Sequence, residues 1–154
     1  MNNRKQRFIL EQTDQKLKPF GAVVDVVVPS EGWIYTIRKA LNMSLRQLAK
    51  RLNVSPQAVK GMEQREKSGA ITLSALQDAA KSLDMKFVYG MVPNDGSLEE
   101  LVKQRAMEVA SEIVLRTSQS MKLEDQENSK RRLVIAIDEK MQELKNEMPK
   151  FLWE

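Results

Sequence analysis

Ser44-Leu45-Arg46-Gln47-Leu48-Ala49-Lys50-Arg51-Leu52-Asn53-Val54-Ser55-Pro56-Gln57-Ala58-Val59-Lys60-Gly61-Met62-Glu63 is the stretch on which the fold turns. Leu45, Leu48, Ala49 and Leu52 recur at intervals of three and four, the spacing of one helical face. Ser44 stands before them as a helix cap, with Gln47 three residues on, a capping-box arrangement. Asn53-Val54 then makes a short turn. Ser55-Pro56 opens a second helix, with serine at the cap and proline at the first helical position. That helix turns Val59 and Met62 inward and is predicted to end near Gln64. Ala49 is the small residue where the two helices cross, and Val54 is the apolar turn residue expected to point inside. Gln57, Lys60, Gly61 and Gln64 are left on the outer face.

Working outward, Trp33, Ile34, Ile37 and Leu41 predict a preceding helix whose inner face they form. On either side lie two apolar, β-branched or aromatic runs, Ala22 to Val28 and Met85 to Val92. Their composition suits short strands. An isolated strand is not stable in water, so the expectation is that they pair, within the chain or across a dimer. The alternative is one extended arm packed on the core. Pro93-Asn94-Asp95-Gly96 marks a turn or linker. The domains expected are therefore 1–31, an N-terminal helix and extended arm; 32–93, the helix-rich unit; and 97–154, a helical C-terminal region.

Composition narrows the chemistry. The 154 residues include no cysteine and no histidine. Disulfides, thiolate metal sites, cysteine nucleophiles and histidine-based acid–base catalysis are excluded together. The six glycines are scattered singly, so a glycine-rich phosphate cradle is missing. No enzyme, metal or cofactor is expected. No run of about 18 apolar residues suggests a membrane span, and the first residues lack an apolar signal segment. A cytoplasmic protein is expected. The formal charge is +4, but Arg38 to Lys67 holds eight Lys/Arg against Glu63 and Glu66, a local excess of +6. Residues 97–154 carry ten basic against twelve acidic residues.

The quoted stretch resembles the Xre or lambda-repressor-like helix-turn-helix. Two positions depart from that pattern. Asn53 stands where the family usually has glycine, and asparagine tolerates the left-handed conformation such a turn requires. Gly61 occupies a position that often carries a base-reading side chain. The resemblance implies a lambda-repressor-like helix-turn-helix domain; with the two short flanking β-strands and a C-terminal helical hairpin read from the residues, the expected fold is mainly α. It also implies sequence-specific DNA binding. Ser44 and its helix N-terminus would meet a phosphate, with Arg46 and Lys50 as further backbone contacts. Ser55, Gln57, Lys60 and Gln64 would enter or border the major groove. Gln57 suits adenine, and Lys60 suits guanine or a phosphate. Arg65 and Lys67, in the loop expected after the second helix, would touch the DNA backbone. Capping alone accounts fully for Ser44 and Ser55, and Arg46, Lys50 and Lys60 would equally suit an ordinary solvated face.

Beyond residue 97, Leu98, Leu101, Val102, Val109, Ile113 and Met121 make one helical face. Val134, Ile137, Met141, Leu144 and Met148 make a second, narrow and coiled-coil-like. These two helices either fold onto the core or form a dimer or partner interface. Several spaced motifs resemble the family called mobile mystery protein A: Gly32-Trp33-Ile34 with Ile37-Arg38, Gly69-Ala70-Ile71, Met85 to Tyr89 with Val92-Pro93, Met121 to Gln126, and Met148-Pro149 to Phe151-Leu152-Trp153. That resemblance implies an antitoxin-like repressor of its own operator with a Fic-domain protein as partner; a homodimer is expected as well, and it would bind an inverted repeat. Many Fic antitoxins carry Ser/Thr-x-x-x-Glu-Gly/Asn. Ser120 and Glu124 match it and are the candidate partner-binding residues, but Asp125 breaks its last place. The alternative is a protein-interaction module that neutralises its partner without binding DNA.

Overall fold

The computed structural model describes residues 3–118 and 126–154. Seven α-helices run in order among these residues: α1 Asn3–Leu17, α2 Trp33–Ala40, α3 Leu45–Leu52, α4 Pro56–Ser68, α5 Leu73–Ser82, α6 Leu98–Ser118 and α7 Gln126–Glu147. Short 3-10 turns follow α1 at Lys18–Val23 and α7 at Lys150–Trp153. The chain divides into two compact units. One is Asp25–Tyr89; the other joins the segment ending at Val24 to Gly90–Glu154.

In the Asp25–Tyr89 unit the local signals decide where helices start and stop. The Ser44 hydroxyl accepts from the Gln47 backbone N–H (3.1 Å), and the Gln47 side chain accepts from the Ser44 N–H (2.8 Å). Two of the orphan amides of α3 are thereby satisfied. Asn53 ends the helix in the left-handed conformation (φ 56°), which a short polar side chain tolerates. Ser55 caps α4 through the Ala58 N–H and Thr72 caps α5 through the Ala75 N–H, each at 3.1 Å. Gly69 closes α4 at φ 82°, a conformation that suits glycine. Helix α4 thus continues past Gln64 to Ser68, and Arg65 and Lys67 lie in its last turn. Cations there complement the helix dipole.

Ile34, Leu48, Ala49, Val59, Met62, Ala79 and Leu83 are buried together, with Ile37, Leu45, Leu52 and Leu76 packed around them. One polar pair joins this core. Arg38 Nε donates to Glu63 Oε1 at 2.5 Å, and both side chains are over nine-tenths buried. Arg38 also donates through Nη2 to Glu63 Oε2 (3.3 Å) and through Nη1 to the Met43 carbonyl (2.9 Å). The inner face of α2 is therefore Ile34 and Arg38 with Ile37 beside them, while Trp33 and Leu41 are exposed. Spacing alone does not separate these registers, because a helix face is wide and an arginine can be buried when it is paired and hydrogen-bonded.

Glycine at the cap of α2 has no side chain to offer. Gly32 sits at φ 85°, and the Glu66 carboxylate on α4 supplies the cap instead. It accepts from the Trp33 N–H at 2.9 Å and the Ile34 N–H at 2.8 Å. A Cβ on residue 32 would come within 2.8 Å of that carboxylate. Removing the acceptor in Glu66→Ala leaves both amides without a protein partner and is expected to cost about 1–2 kcal/mol in urea titration. A change below a few tenths of that would mean water serves as well.

The two expected strands are absent among the described residues. Lys18–Val23 is a 3-10 turn, and Asp25 to Val28 and Met85 to Val92 run without a ladder. Val24, Val26, Val27, Val28, Val88 and Met91 are exposed. Strand propensity expresses fit to a half-buried pleated surface, and with no neighbour to supply that surface it decides nothing. Phe87 and Tyr89 stack on each other instead, ring centroids 5.9 Å apart.

In the other unit α6 and α7 form a hairpin that encloses Val102, Ala106, Val109, Ala110, Met141, Leu144 and Leu152. Leu10 of α1 packs against this cluster. Ala106 and Ala110, one turn apart and wholly buried, keep the α6 surface low where it meets its partners. The Asp14 carboxylate of α1 accepts from the Leu98 N–H (2.7 Å) and the Glu99 N–H (3.1 Å), capping α6 from outside that helix. Arg105 Nε donates to the Leu152 carbonyl at 2.5 Å and holds the closing 3-10 turn against α6.

Candidate nucleic-acid interface

Helix α4 is two-faced. Val59, Met62 and Glu63 turn into the core, and Gln57, Lys60, Gln64 and Arg65 are exposed. Gln57, Gly61 and Gln64 are three or four residues apart and follow one another along the outer surface. Lys60 flanks that line on one side and Arg65 on the other. On α3, Arg46 and Lys50 are both exposed and one turn apart, opposite the face that buries Leu48. Every residue singled out on these helices is exposed apart from Gly61, which is half-buried.

Ser44 and Ser55 are both engaged as caps. Capping uses an oxygen lone pair and leaves the hydroxyl proton free to donate. A serine that caps its helix is therefore still able to donate to a phosphate oxygen.

The basic excess divides into two groups. Arg38 is buried against Glu63, Arg51 donates to Asp84 (2.9 Å) and the Ser82 carbonyl (2.7 Å), and Lys67 pairs with Glu31 (2.9 Å). These three hold the unit together. Among the described residues Lys39, Arg46, Lys50, Lys60 and Arg65 make no hydrogen bond or ion pair through their side chains. Four of those five lie on α3 and α4. Charge counting treats the eight alike, because pairing with a distant carboxylate leaves no local mark.

Val54 departs from expectation. It is exposed, at the edge of a shallow open groove between α4 and α5 that Leu52, Ala58 and Met62 also line. The left-handed Asn53 reverses the chain so that the Val54 N–H returns to the Ala49 carbonyl (3.0 Å). This sharp reversal closes the turn through its backbone, and the side chain is left outside. Arg65 borders the same groove. An ideal Cβ built on Gly61 would stand 3.0 Å from Arg65 Nη1, so the guanidinium lies close against the bare backbone of Gly61.

Arg38, Glu63 and Glu66 are the residues that sequence spacing passed over. Their only local signal is polarity at core-facing positions of α2 and α4. Ser120 and Glu124 lie outside the described residues. Among the described residues no helix is long and apolar enough to cross a membrane.

In comparisons with known proteins, residues 34–89 match the helix-turn-helix family, a little over a third of the chain. Neither a curated protein nor a solved structure matches. The matched segment spans α2 to α5 and ends beyond Leu83, the last buried residue of their core. Residues 34–89 are thus similar to the helix-turn-helix domains of the Xre or lambda-repressor-like kind, a family of DNA-binding regulator domains and not of enzymes.

Proposed function

We propose that this chain is a sequence-specific repressor of its own operator, the antitoxin-like half of a two-gene module whose other product is a Fic-domain protein. The observation that carries the DNA-binding part is the division of cations on α3 and α4: Arg46, Lys50, Lys60 and Arg65 stand unpaired, while Arg51 and Lys67 on the same helices are held in ion pairs. Unpaired Lys and Arg beside two capped helix N-termini are the equipment for phosphate contacts. Gln57 is suited to base edges, and Lys60 to a guanine or a phosphate. The antitoxin role and Fic partner rest on the resemblance to mobile mystery protein A. A homodimer on an inverted repeat with half-sites about one helical turn apart extends one short reading helix to a full site. A cytoplasmic location follows from the DNA target.

A gel shift with the DNA upstream of the chain's own gene, at low salt, tests the reading. A retarded complex is expected, with Gln57→Ala losing roughly 1–3 kcal/mol at one base step and relaxing choice there. No shift at low salt would sink the DNA reading. The second reading, a module that neutralises a partner without touching DNA, is favoured by the apolar side chains that α1, α6 and α7 leave exposed, Phe8, Leu101, Val134 and Ile135 among them. The same gel shift separates the two.

A further inference from the structure

Gly61 leaves a gap in the outer line of α4, between Gln57 and Gln64. The structure fills that gap from one turn further on. Arg65 is exposed, its side chain makes no hydrogen bond or ion pair among the described residues, and its Nη1 lies 3.0 Å from where a Cβ of residue 61 would be. A guanidinium with no partner in the protein, folded back along the helix toward its bare centre, is where a side chain of residue 61 would project. The five N–H donors of arginine match the O6 and N7 acceptors of guanine as a fork.

We propose that Arg65 is a specificity-determining residue that reads a guanine, and that Gly61 is the vacancy that admits its guanidinium to the reading face. This rests on the DNA-binding reading above and changes the expectation that Arg65 meets only the phosphate backbone. It makes glycine at 61 a requirement of recognition, against a cost to helix stability. Glycine inside a helix is worse than alanine by about 0.5–1 kcal/mol. The Cβ of Gly61→Ala would meet only the far end of a flexible side chain, so the substitution should be tolerated by the fold.

The experiment is selection of bound duplexes from a randomised library by the full-length protein at low salt, run for the wild type, R65A, R65K, G61A and the G61A/R65A double variant. Thermal unfolding is measured in parallel. The wild type should enrich one G·C pair per half-site that R65A no longer prefers, a loss of roughly 10- to 100-fold at that position alone. R65K should keep overall affinity but lose much of that preference, because an ammonium lacks the planar fork. G61A should weaken the same preference while its unfolding midpoint stays level or rises. The double variant should lose no more than R65A, since both substitutions remove one contact. An unchanged selected sequence in R65A, or an even loss across all sequences with a shallower salt dependence, would assign Arg65 to a phosphate and overturn the proposal. Preference retained in G61A would overturn the role of the glycine. If the wild type enriches no sequence, the DNA-binding reading itself falls, and the inference falls with it.

Discussion

Glu63→Ala is expected to destabilise the Asp25–Tyr89 unit by about 3–5 kcal/mol. Arg38 would then keep its Met43 carbonyl contact but lose both carboxylate contacts while still more than nine-tenths buried. A buried charge deprived of its counterion is costly in a way that the intact pair is not, because desolvation is no longer offset. A small domain has about 5–15 kcal/mol in hand, so the variant should be largely unfolded in mild urea. The double replacement Arg38→Met with Glu63→Leu removes both charges and is expected to recover most of the loss, since an apolar pair of similar size is often neutral or better. Urea midpoints for the three proteins give the comparison. A loss under about 1 kcal/mol for Glu63→Ala would mean that water reaches the pair and the burial argument fails.

Operator affinity should fall about 10³-fold between 50 and 200 mM salt, if two copies each place Arg46, Lys50 and Lys60 on the phosphates. Those three side chains are exposed and free of ion pairs, so their release of counterions is not offset by breaking contacts within the protein. Arg46→Ala combined with Lys50→Ala removes about four of six such contacts from a dimer and should lower the slope of log K against log salt by about 3–4. Sequence preference should survive, because backbone contacts set position and carry no base information. Arg51→Ala is the informative control. Arg51 is tied to Asp84 and Ser82, so it should leave the slope where it was. Fluorescence anisotropy across a salt series reads both; an unaltered slope in the double variant would remove α3 from the interface.

What could be read in advance was local. Ser44 with Gln47, Ser55 with Pro56, and the left-handed Asn53 each act over at most three residues, and each stands where spacing predicts. Burial of Leu48, Ala49, Val59 and Met62 followed from the same short range. Interactions between distant residues could not be read this way. Glu66 capping α2 and Arg38 meeting Glu63 join residues 25 to 33 positions apart, and nothing nearby distinguishes these carboxylates from solvated ones. The valine run failed for a related reason, since its residues suit a sheet and no described segment pairs with them. At the interface, the exposed residues of α4 were legible from periodicity. The position of the Arg65 guanidinium was not, because it depends on a rotamer and on the absence of an atom.

The cap that Asp14 places on α6 bears on how the chain is made. Asp14 and Leu98 are 84 residues apart, and the whole helix-turn-helix is encoded between them. As the polypeptide leaves the ribosome, residues 25–89 can complete their own core before α6 and α7 are both free to pack. Through that interval Leu10 of α1 lacks the α6–α7 cluster against which it packs. The last step of biogenesis is then the capture of the first helix by the last two, across a loop already shortened by a folded insert. Closing that gap costs less entropy than an unstructured span of the same length would demand.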